Sequence, residues 1–591
     1  MQLTTLDWSI IFAFFAVSLA IGLLVSRRAG KDFSEFFLSG RNMPWWLLGV
    51  SMVATTFSAD TPNLVTDIVR KNGIAGNWVW WAFLLTGMLT VFVYAKLWRR
   101  SGIQTDLEFY ELRYSGKEAA FLRGFRALYL GVFFNVFIMA TVILAAFKIG
   151  GVFGLGRLEI IIVVSIITLI YTSLGGLRGV LLTDFFQFLL AMAGTIWAAI
   201  VVLRLPEVGG LKNLLVHPNV SGKLDLLPDF NDPNMLIPLF IIPLAVQWWS
   251  VWYPGAEPGG GGYIVQRMLS AKDEKNAVSA TLFFNIAHYA LRPWPWILIA
   301  LASLIVFPDL ASLGAAFPDL DAGIVNDDLA YPAMMRYLPA GLLGLVLASL
   351  MAAFMSTIST HLNWGSSYIV NDFYRRFIKP QASNKELVAV GRLSTVVLMA
   401  LSIFIAWALI RNALEGFQIL LQIGAGTGLI FILRWFWWRI NAYSEIAAMI
   451  VSFLVALYFR YAAPGGYADH EQLMIGVGIT TIVWIVVTLL TPATDHQTLV
   501  QFFRLIRPHR GGWQPVVTKG LADGELQESD LHTGRLPLEL LSMFMGCFTV
   551  YGALFATGFW IYGQTQNALI ASAVALLGSV FLLRNFRKVL Q

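Results

Sequence analysis

At its most informative point the sequence reads Ser58-Ala59-Asp60-Thr61-Pro62-Asn63, in the middle of an apolar run over residues 43–70. The run is long enough to cross a lipid bilayer. Pro62 has no amide hydrogen and disfavours helical geometry at the preceding residue, which predicts two half-helices with a break between them. Asp60 is costly at membrane depth unless it faces water or a partner. The break therefore predicts a polar cavity, because irregular backbone inside a membrane survives only where protein or water surrounds it.

A second apolar run, residues 236–265, contains Pro254-Gly255-Ala256-Glu257-Pro258-Gly259-Gly260-Gly261-Gly262, which no continuous helix tolerates. Each break falls in the first span of a block of five predicted spans. Because five is odd, the second block enters the membrane from the opposite side. Interrupted helices at matching positions of two inverted repeats indicate a substrate and ion site near the midplane. For either break alone, a packing kink in an arbitrary bundle is the alternative.

Composition extends this reading to the whole chain. Of 591 residues, 57% are hydrophobic and 13% charged, against about a quarter charged in a soluble domain. About fifteen apolar runs are long enough to span a bilayer, so we predict an all-α integral membrane protein with an inverted five-plus-five repeat. The predicted divisions are an N-terminal extra helix (1–42), the first repeat (43–204), an extracellular loop (205–235), the second repeat (236–437) and additional C-terminal helices (438–591) with a cytoplasmic linker (492–536).

The basic residues predict the orientation. Most of the 41 Lys and Arg residues fall in alternate loops, on the same side as Arg27 and Arg28. Since cationic loops resist translocation, the N-terminus is expected outside and the C-terminus in the cytoplasm, in a bacterial inner membrane. This topology accounts for the net charge of +6, so we expect no nucleic-acid partner. Two long loops on the outer side, residues 205–235 and 307–339, are candidate lids.

Five motifs occur in order along the chain. They are Phe36-Phe37-Leu38-Ser39-Gly40-Arg41; Ser51-Met52-Val53-Ala54-Thr55-Thr56-Phe57-Ser58-Ala59; Tyr171 to Val180 (YTSLGGLRGV) with Thr183-Asp184-Phe185-Phe186-Gln187; Gln266-Arg267; and Ala352 to Thr360 (AAFMSTIST). On these residues the chain resembles the sodium/solute symporter family, whose fold is the inverted five-helix repeat. The resemblance implies a secondary active symporter, with Na⁺ as the coupling ion and no cofactor. By alternating access it would take up a small organic solute, namely a sugar, an amino acid or a carboxylate.

The resemblance also implies a sodium site. Its ligands would be the carbonyl oxygens of Ala54, Phe57 and Ala353 and the hydroxyls of Ser356 and Thr357. Chemistry is consistent with this set, since Na⁺ is a hard cation that neutral oxygens satisfy and an unwound helix frees carbonyls. The alternative is that the hydroxyls bond back to their own helix.

Asp184 and Thr360 are further candidates for an ion or gate role. Some family members use the matching aspartate at a second sodium site or in the cytoplasmic gate, and an intramembrane acid is a functional candidate by default. A plain salt bridge or helix cap at Asp184 is the alternative.

Several residues are candidates for solute binding. Sugar carriers of the family place a Glu-Gln pair after the first break, where this chain has Asp60 and Thr61. The remaining candidates are Tyr253 and Glu257 in the second break, His288 by its spacing from Gln266-Arg267, and Gln418 and Gln422 one turn apart on the tenth core helix.

Other classes of membrane protein fit less well. An intramembrane enzyme needs a nucleophile with its base or a metal cluster, and the seven histidines form no HxxxH or HExxH pattern. No pore-lining repeat of a channel is present in the sequence. A transporter-like sensor remains an alternative, although no kinase-like domain follows the last helices.

Overall fold

The computed structural model describes residues 3–152, 157–251, 257–318, 325–408, 427–531 and 534–590. The helices of the first half are α1 (Thr5–Ala29), α2 (Phe33–Leu38), α3 (Trp45–Thr56), α4 (Thr61–Asn72), α5 (Trp78–Trp81), α6 (Leu84–Leu89), α7 (Ala95–Ser101), α8 (Phe109–Arg113), α9 (Gly116–Leu128), α10 (Asn135–Val152), α11 (Arg157–Leu203), α12 (Leu211–Val216), α13 (Pro218–Ser221), α14 (Pro233–Leu236) and α15 (Ile242–Ala245). Those that follow are α16 (Gly262–Ser270), α17 (Glu274–Ile286), α18 (Pro293–Val306), α19 (Leu310–Ala315), α20 (Ala330–Met335), α21 (Leu342–Tyr368), α22 (Asn384–Ala408), α23 (Gly428–Leu433), α24 (Ala442–Leu457), α25 (Asp469–Leu490), α26 (His496–Ile506), α27 (Gln514–Ala522), α28 (Leu536–Ile561) and α29 (Thr565–Leu590).

The all-α membrane fold is confirmed. Among the described residues, 11 helices are long and apolar enough to cross a membrane. Two shorter apolar helices, Trp45–Thr56 and Pro233–Trp249, accompany them. The count of about fifteen spans and the domain boundaries stay predictions, in part because residues 409–426 lie outside the described ranges.

Turns of π-helix join many of the shorter helices into continuous rods. Such turns link α6 to α7 (Thr90–Tyr94), α9 to α10 (Tyr129–Phe134) and α17 to α18 (Ala287–Leu291), and another extends α21 (Ile369–Ile378). A π turn inserts an extra residue without ending the helix and is frequent at functional sites. The π turns therefore lengthen several rods of the bundle without ending their helices.

A glycine divides the longest helix. Helix α11 (Arg157–Leu203) bends at Gly176 (φ 53°, ψ −157°). A Cβ atom there would lie 2.5 Å from the carbonyl oxygen of Phe36. Both the positive φ and the close backbone approach require glycine.

The first break lies between α3 and α4. Helix α3 ends at Thr56, and Phe57 leaves helical geometry with ψ 73°. The chain resumes a helix at Thr61 with Pro62 in its first turn, where the missing amide hydrogen of proline costs nothing. The four residues between the half-helices place Asp60 on the exposed side of the break.

The second break precedes α16. Its described part begins at Glu257 and includes Gly259 (φ 83°) and Gly260 (φ 99°), values that favour glycine. Trp98 Nε1 donates to the carbonyl oxygen of Gly259 at 2.9 Å, and the Tyr94 ring lies against the same glycine. The glycine run therefore packs on the end of the rod that holds α7.

One end of the bundle, which we call the arginine-rich end, is formed by the ends of α1, α7 and α21, with Arg28, Arg99, Arg100 and Arg376. Here a β-bridge pairs Met43 with Ala271. The Met43 amide donates to the Ser270 carbonyl at 3.1 Å, and the Lys272 amide donates to the Met43 carbonyl at 3.2 Å. The start of α3 and the end of α16, one half of each broken helix, are thus joined through their backbones.

At the opposite end both long loops attach to α4. Arg70 Nε donates to Asp327 Oδ1 at 2.7 Å, and its Nη1 donates to the Phe307 carbonyl at 2.9 Å. Lys223 Nζ donates to the Arg70 carbonyl at 2.9 Å. These contacts hold parts of the predicted lids, residues 205–235 and 307–339, against α4, the second half of the first broken helix.

Helix α21 lies at the centre of this arrangement. It is almost entirely buried and packs on α11, α1, α22, α10 and α3. Helices α1 and α29, in contrast, present many exposed Leu, Ile, Val and Phe side chains, as expected of surfaces that face lipid. The residues predicted as sodium ligands on α21 are thus in the interior.

Candidate functional site

Three oxygen atoms converge where α21 meets the end of α3. Thr357 Oγ1 lies 3.0 Å from the carbonyl oxygen of Thr55 and 3.1 Å from that of Ala353. A threonine hydroxyl has one hydrogen, so it can donate to only one of these two acceptors at a time. The contact with Ala353 is a bond back to the same helix, which was the alternative reading, whereas the contact with Thr55 joins two helices and adds oxygen lone pairs of the kind that a hard cation takes.

The hydroxyl of Ser356, the neighbour of Thr357, bonds to a buried carboxylate. Ser356 Oγ donates to Asp184 Oδ1 at 2.6 Å, and Ser51 Oγ donates to Asp184 Oδ2 at 2.5 Å. Asp184, Ser51 and Ser356 are all at most 1% exposed. Because Asp184 takes the hydrogen of Ser356, the lone pairs of Ser356 Oγ are available to another partner.

The structure places the two elements that carry the five predicted sodium ligands against each other, through the contact of Thr357 with Thr55. Ala353, Ser356 and Thr357 lie on α21 against the end of α3, where Ala54 and Phe57 lie. The Ala54 carbonyl accepts from the Phe57 amide at 3.1 Å, and the non-helical ψ of Phe57 turns its own carbonyl out of the helical ladder. The carbonyl of Thr55 was missed by the sequence analysis, since only its contact with Thr357 distinguishes it from other helical carbonyls.

Asp184 and Thr360 meet through a buried arginine. Arg267 Nη2 donates to Thr360 Oγ1 at 2.7 Å and lies 3.8 Å from Asp184 Oδ2. Arg267 Nε also donates to Ser51 Oγ at 3.2 Å, and Thr360 Oγ1 is 2.9 Å from Thr55 Oγ1. Four elements, α3, α11, α16 and α21, are connected by this network, in which Arg267 already supplies a positive charge to Asp184.

A second polar cluster borders the first break. Thr56 Oγ1 lies 3.0 Å from His288 Nδ1, and Arg292 Nη2 lies 3.1 Å from His288 Nε2. The Thr61 hydroxyl is 3.5 Å from the Thr56 carbonyl, and Asp60 is exposed beside it. Of the solute-binding candidates, Asp60, Thr61 and His288 are thus placed at the first break. Arg292, which the sequence analysis assigned no role, joins them.

Trp80 covers one side of this cluster. Its ring meets the His288 ring edge-on at 5.7 Å between centroids and stacks on Tyr289 at 5.8 Å. An aromatic face beside polar groups is common in solute pockets, where apolar walls surround a few oriented polar atoms. The tryptophan could not be told from an interfacial one by sequence.

Glu257 occupies a different place from the other candidates. It is 5% exposed and forms a salt bridge with Arg126 of α9. Asp106, in the loop between α7 and α8, accepts from the Tyr368 hydroxyl at 2.5 Å and from the Gly262 amide at 2.8 Å. These contacts fasten the second break to α9, α21 and the loop. The solute-binding role of Glu257 stays a prediction.

Asp106 lies between the spans Ile74–Ser101 and Gly116–Leu144. Burial, reinforced by the nearby charge of Glu257, raises the pKa of Asp106 to about 6, against the opposing effect of the hydrogen bond from Tyr368. The closure of the arginine-rich end is thus linked to a group that titrates near neutral pH.

Three of the solute-binding candidates, Tyr253, Gln418 and Gln422, lie outside the described residues. They remain predictions.

Comparison with known proteins is consistent with this geometry. The model of the sodium:solute symporter family matches residues 36–452. The sodium/glucose cotransporter of Vibrio parahaemolyticus is 25% identical over 510 residues, covering 83% of this chain and 92% of that relative. The sodium/myo-inositol cotransporter of Homo sapiens is 27% identical over 548 residues, covering 83% and 74%. A solved structure of a Na⁺-coupled sialic acid symporter, substrate-bound and outward-open, has a TM-score of 0.67 at 23% identity and covers 84% of this chain. This likeness supports the fold.

Proposed function

The chain belongs to the sodium:solute symporter family, and we propose that its coupling ion binds around Thr357, between α3 and α21. The chain is a multi-pass membrane transporter that moves a small solute together with Na⁺, and it is not an enzyme. The observation that carries the proposed ion site is the single Thr357 hydroxyl placed between two carbonyl oxygens.

The proposed ligands are neutral oxygens. They are the carbonyls of Ala54, Phe57 and Ala353 and the hydroxyls of Ser356 and Thr357. A bound Na⁺ would satisfy lone pairs that the one hydrogen of Thr357 cannot satisfy at once. Asp184 acts as a positioning residue, since it fixes the Ser356 hydroxyl with its lone pairs free.

We assign Asp184 and Thr360 to the hydrogen-bond network around Arg267 and not to a second ion. The guanidinium of Arg267 donates to Thr360 and lies 3.8 Å from Asp184. A second cation in the same place would meet that positive charge at short range. The network reaches Ser51 and Thr55 of α3, so it connects the ion site to the half-helix that the Met43–Ala271 bridge joins to α16.

The solute is proposed to bind at the first break. Asp60, Thr61 and His288 offer acceptors and donors there, with Trp80 as an apolar wall. The relatives are named as carriers of glucose and myo-inositol, both polyhydroxylated. We therefore propose a small hydroxylated organic solute.

The proposed orientation has the arginine-rich end in the cytoplasm and the N-terminus outside, following the distribution of Lys and Arg. In this conformation Asp60 is exposed, whereas Glu257, Arg126, Asp106 and Tyr368 close the arginine-rich end. These features support a proposed outward-open state, and transport by alternating access would require the closing contacts to break.

The ion site is tested by thermal unfolding of the purified protein in NaCl and in KCl, with uptake into proteoliposomes as a second readout. We expect Na⁺ to raise the melting temperature, and Ser356→Ala and Thr357→Ala to weaken Na⁺ binding. Loss of one oxygen ligand to a buried cation costs about 1–3 kcal/mol, or roughly five- to 150-fold in affinity.

A matched control exists on α28. Thr557 Oγ1 donates to the carbonyl four residues earlier, at 2.9 Å, as Thr357 does, but on an exposed face. Thr557→Ala removes the same kind of hydrogen bond and should leave Na⁺ binding unchanged. Thr357→Ser keeps a hydroxyl at the proposed site and should therefore keep Na⁺ binding. Equal stabilisation by Na⁺ and K⁺, or equal effects of Thr357→Ala and Thr557→Ala, would refute the assignment.

A further inference from the structure

Arg292 is a buried cation in the middle of the bundle. It follows the π turn Ala287–Leu291, precedes Pro293, and is 2% exposed. Its Nη1 lies 3.3 Å from Thr56 Oγ1 and its Nη2 lies 3.1 Å from His288 Nε2. The guanidinium carbon is 5.3 Å from the centre of the Trp296 ring. All of these contacts are with neutral groups, if His288 is neutral beside a permanent cation.

Within the part of the chain that the structure describes, no Asp or Glu oxygen lies within 4.0 Å of Arg292, and its Nε has no hydrogen-bond partner. An arginine side chain does not lose its proton in proteins. Burial of a charge without a counter-charge costs several kcal/mol. Binding of an anion next to the guanidinium would offset that cost.

Other buried arginines in the described ranges are compensated. Arg70 pairs with Asp327 at 2.7 Å, and Arg126 pairs with Glu257. Arg113 instead donates to three backbone carbonyls, those of Arg434, Trp437 and Trp438. The Arg292 guanidinium differs from these, because among the described residues neither a carboxylate nor a carbonyl oxygen contacts it.

Arg292 lies at the first break. Thr56 is the last residue of α3, directly before the first break, and both Thr56 and His288 are only half-buried. Asp60, which is exposed, lies four residues after Thr56, at the end of the break. Displacement of the Thr56 and His288 contacts would turn two guanidinium N–H groups toward the opening, in the planar arrangement that matches a carboxylate.

We propose that Arg292, together with His288, binds a carboxylate of the transported solute. This rests on the proposed function, in which the solute lies at the first break. Asp60 on the same side would accept from hydroxyl groups and repel a second negative charge, so the solute class is a hydroxylated monocarboxylate, such as a sugar acid. One arginine suits one negative charge, which favours a carboxylate over a phosphate dianion.

The experiment compares compounds that differ only in the acid. Thermal unfolding is measured at constant Na⁺ with glucuronate against glucose, gluconate against sorbitol, and glucose 6-phosphate as the phosphate arm. We expect at least one carboxylate to stabilise the wild type while its neutral counterpart does not. In Arg292→Gln its affinity should fall at least tenfold, and Arg292→Lys should retain part of it.

Two controls separate the possible failures. Lys71→Gln removes an exposed cation from α4 and should leave carboxylate binding unchanged. Arg292→Gln should keep the Na⁺-dependent stabilisation that Thr357→Ala loses, which shows that it folds. Absence of Na⁺ dependence in the wild type would overturn the proposed ion site instead.

Three results would overturn the carboxylate site while the sodium site stands. They are equal binding of an acid and its neutral counterpart, stronger binding of glucose 6-phosphate than of both carboxylates, and a panel in which no carboxylate distinguishes wild type from Arg292→Gln.

Discussion

Replacement of Asp184 by asparagine tests the network that connects the ion site to the half-helices. Asp184 and Arg267 are both 0% exposed and lie 3.8 Å apart, with the Ser51 hydroxyl bonded to both. Removal of one member of a buried pair leaves an uncompensated charge and costs about 3–5 kcal/mol. Asp184→Asn alone and Arg267→Gln alone should each be destabilising on this scale. The double variant leaves no bare charge, so its cost should be less than the sum by about 0.5–3 kcal/mol.

The same substitution should weaken sodium binding. The carboxylate of Asp184 accepts the hydrogen of Ser356, whereas an asparagine amide nitrogen donates in that position. Ser356 would then turn its hydrogen toward the ion. A net loss of about one hydrogen bond's worth of free energy, ~1.4 kcal/mol, corresponds to a tenfold weaker Na⁺ affinity.

Thermal unfolding of the four proteins of the cycle, each titrated with NaCl in a constant choline chloride background, measures both quantities. Thermal stabilities that add within about 0.5 kcal/mol would show that Asp184 and Arg267 act independently. An unchanged Na⁺ affinity in Asp184→Asn would show that the carboxylate does not orient Ser356.

Three further predictions concern the ends of the bundle. Gly260→Ala should reduce uptake and cost about 1–3 kcal/mol, because Gly260 has φ 99°, whereas Gly261→Ala, at φ −156°, should behave as wild type in the same uptake and melting assays. Asp327→Asn should cost about 1–3 kcal/mol by removing the partner of Arg70, and limited proteolysis should then cleave the loop after residue 325 faster. The folded protein holds the proton of Asp106 more tightly than the unfolded chain, so the stability of the fold should decline as pH rises from 3.8 through about 6. Asp106→Asn should flatten that part of a plot of melting temperature against pH. An unchanged slope in the variant would contradict the linkage.

Local chemistry explains why the two breaks could be predicted. Pro62 forbids a continuous helix whatever surrounds it, and the positive φ of Gly259 and Gly260 is accessible to few other residues. The positions of Ser356 and Thr357 on α21 followed from motif and helical spacing. Such features depend on neighbours in the chain.

The functional partners could not be predicted in the same way. Arg292 meets Thr56 across 236 positions of sequence, and Glu257 meets Arg126 across 131. Whether a charged side chain has a counter-ion is decided by which helices pack together. The salt bridge of Glu257 with Arg126 has no signal in the sequence, and Arg292 carries none except its position inside an apolar span.

The bridge between Met43 and Ala271 has a mechanical consequence. Two main-chain hydrogen bonds, unlike side-chain contacts, cannot be removed by a point substitution that keeps the amide and the carbonyl. They join the start of α3 to the end of α16, which are halves of the two broken helices. Because α3 also borders the ion site, the two half-helices and that site are mechanically connected. Any opening at this end that keeps the bridge intact must move α3 and α16 together. A movement of one half-helix alone at this end would have to break these two hydrogen bonds.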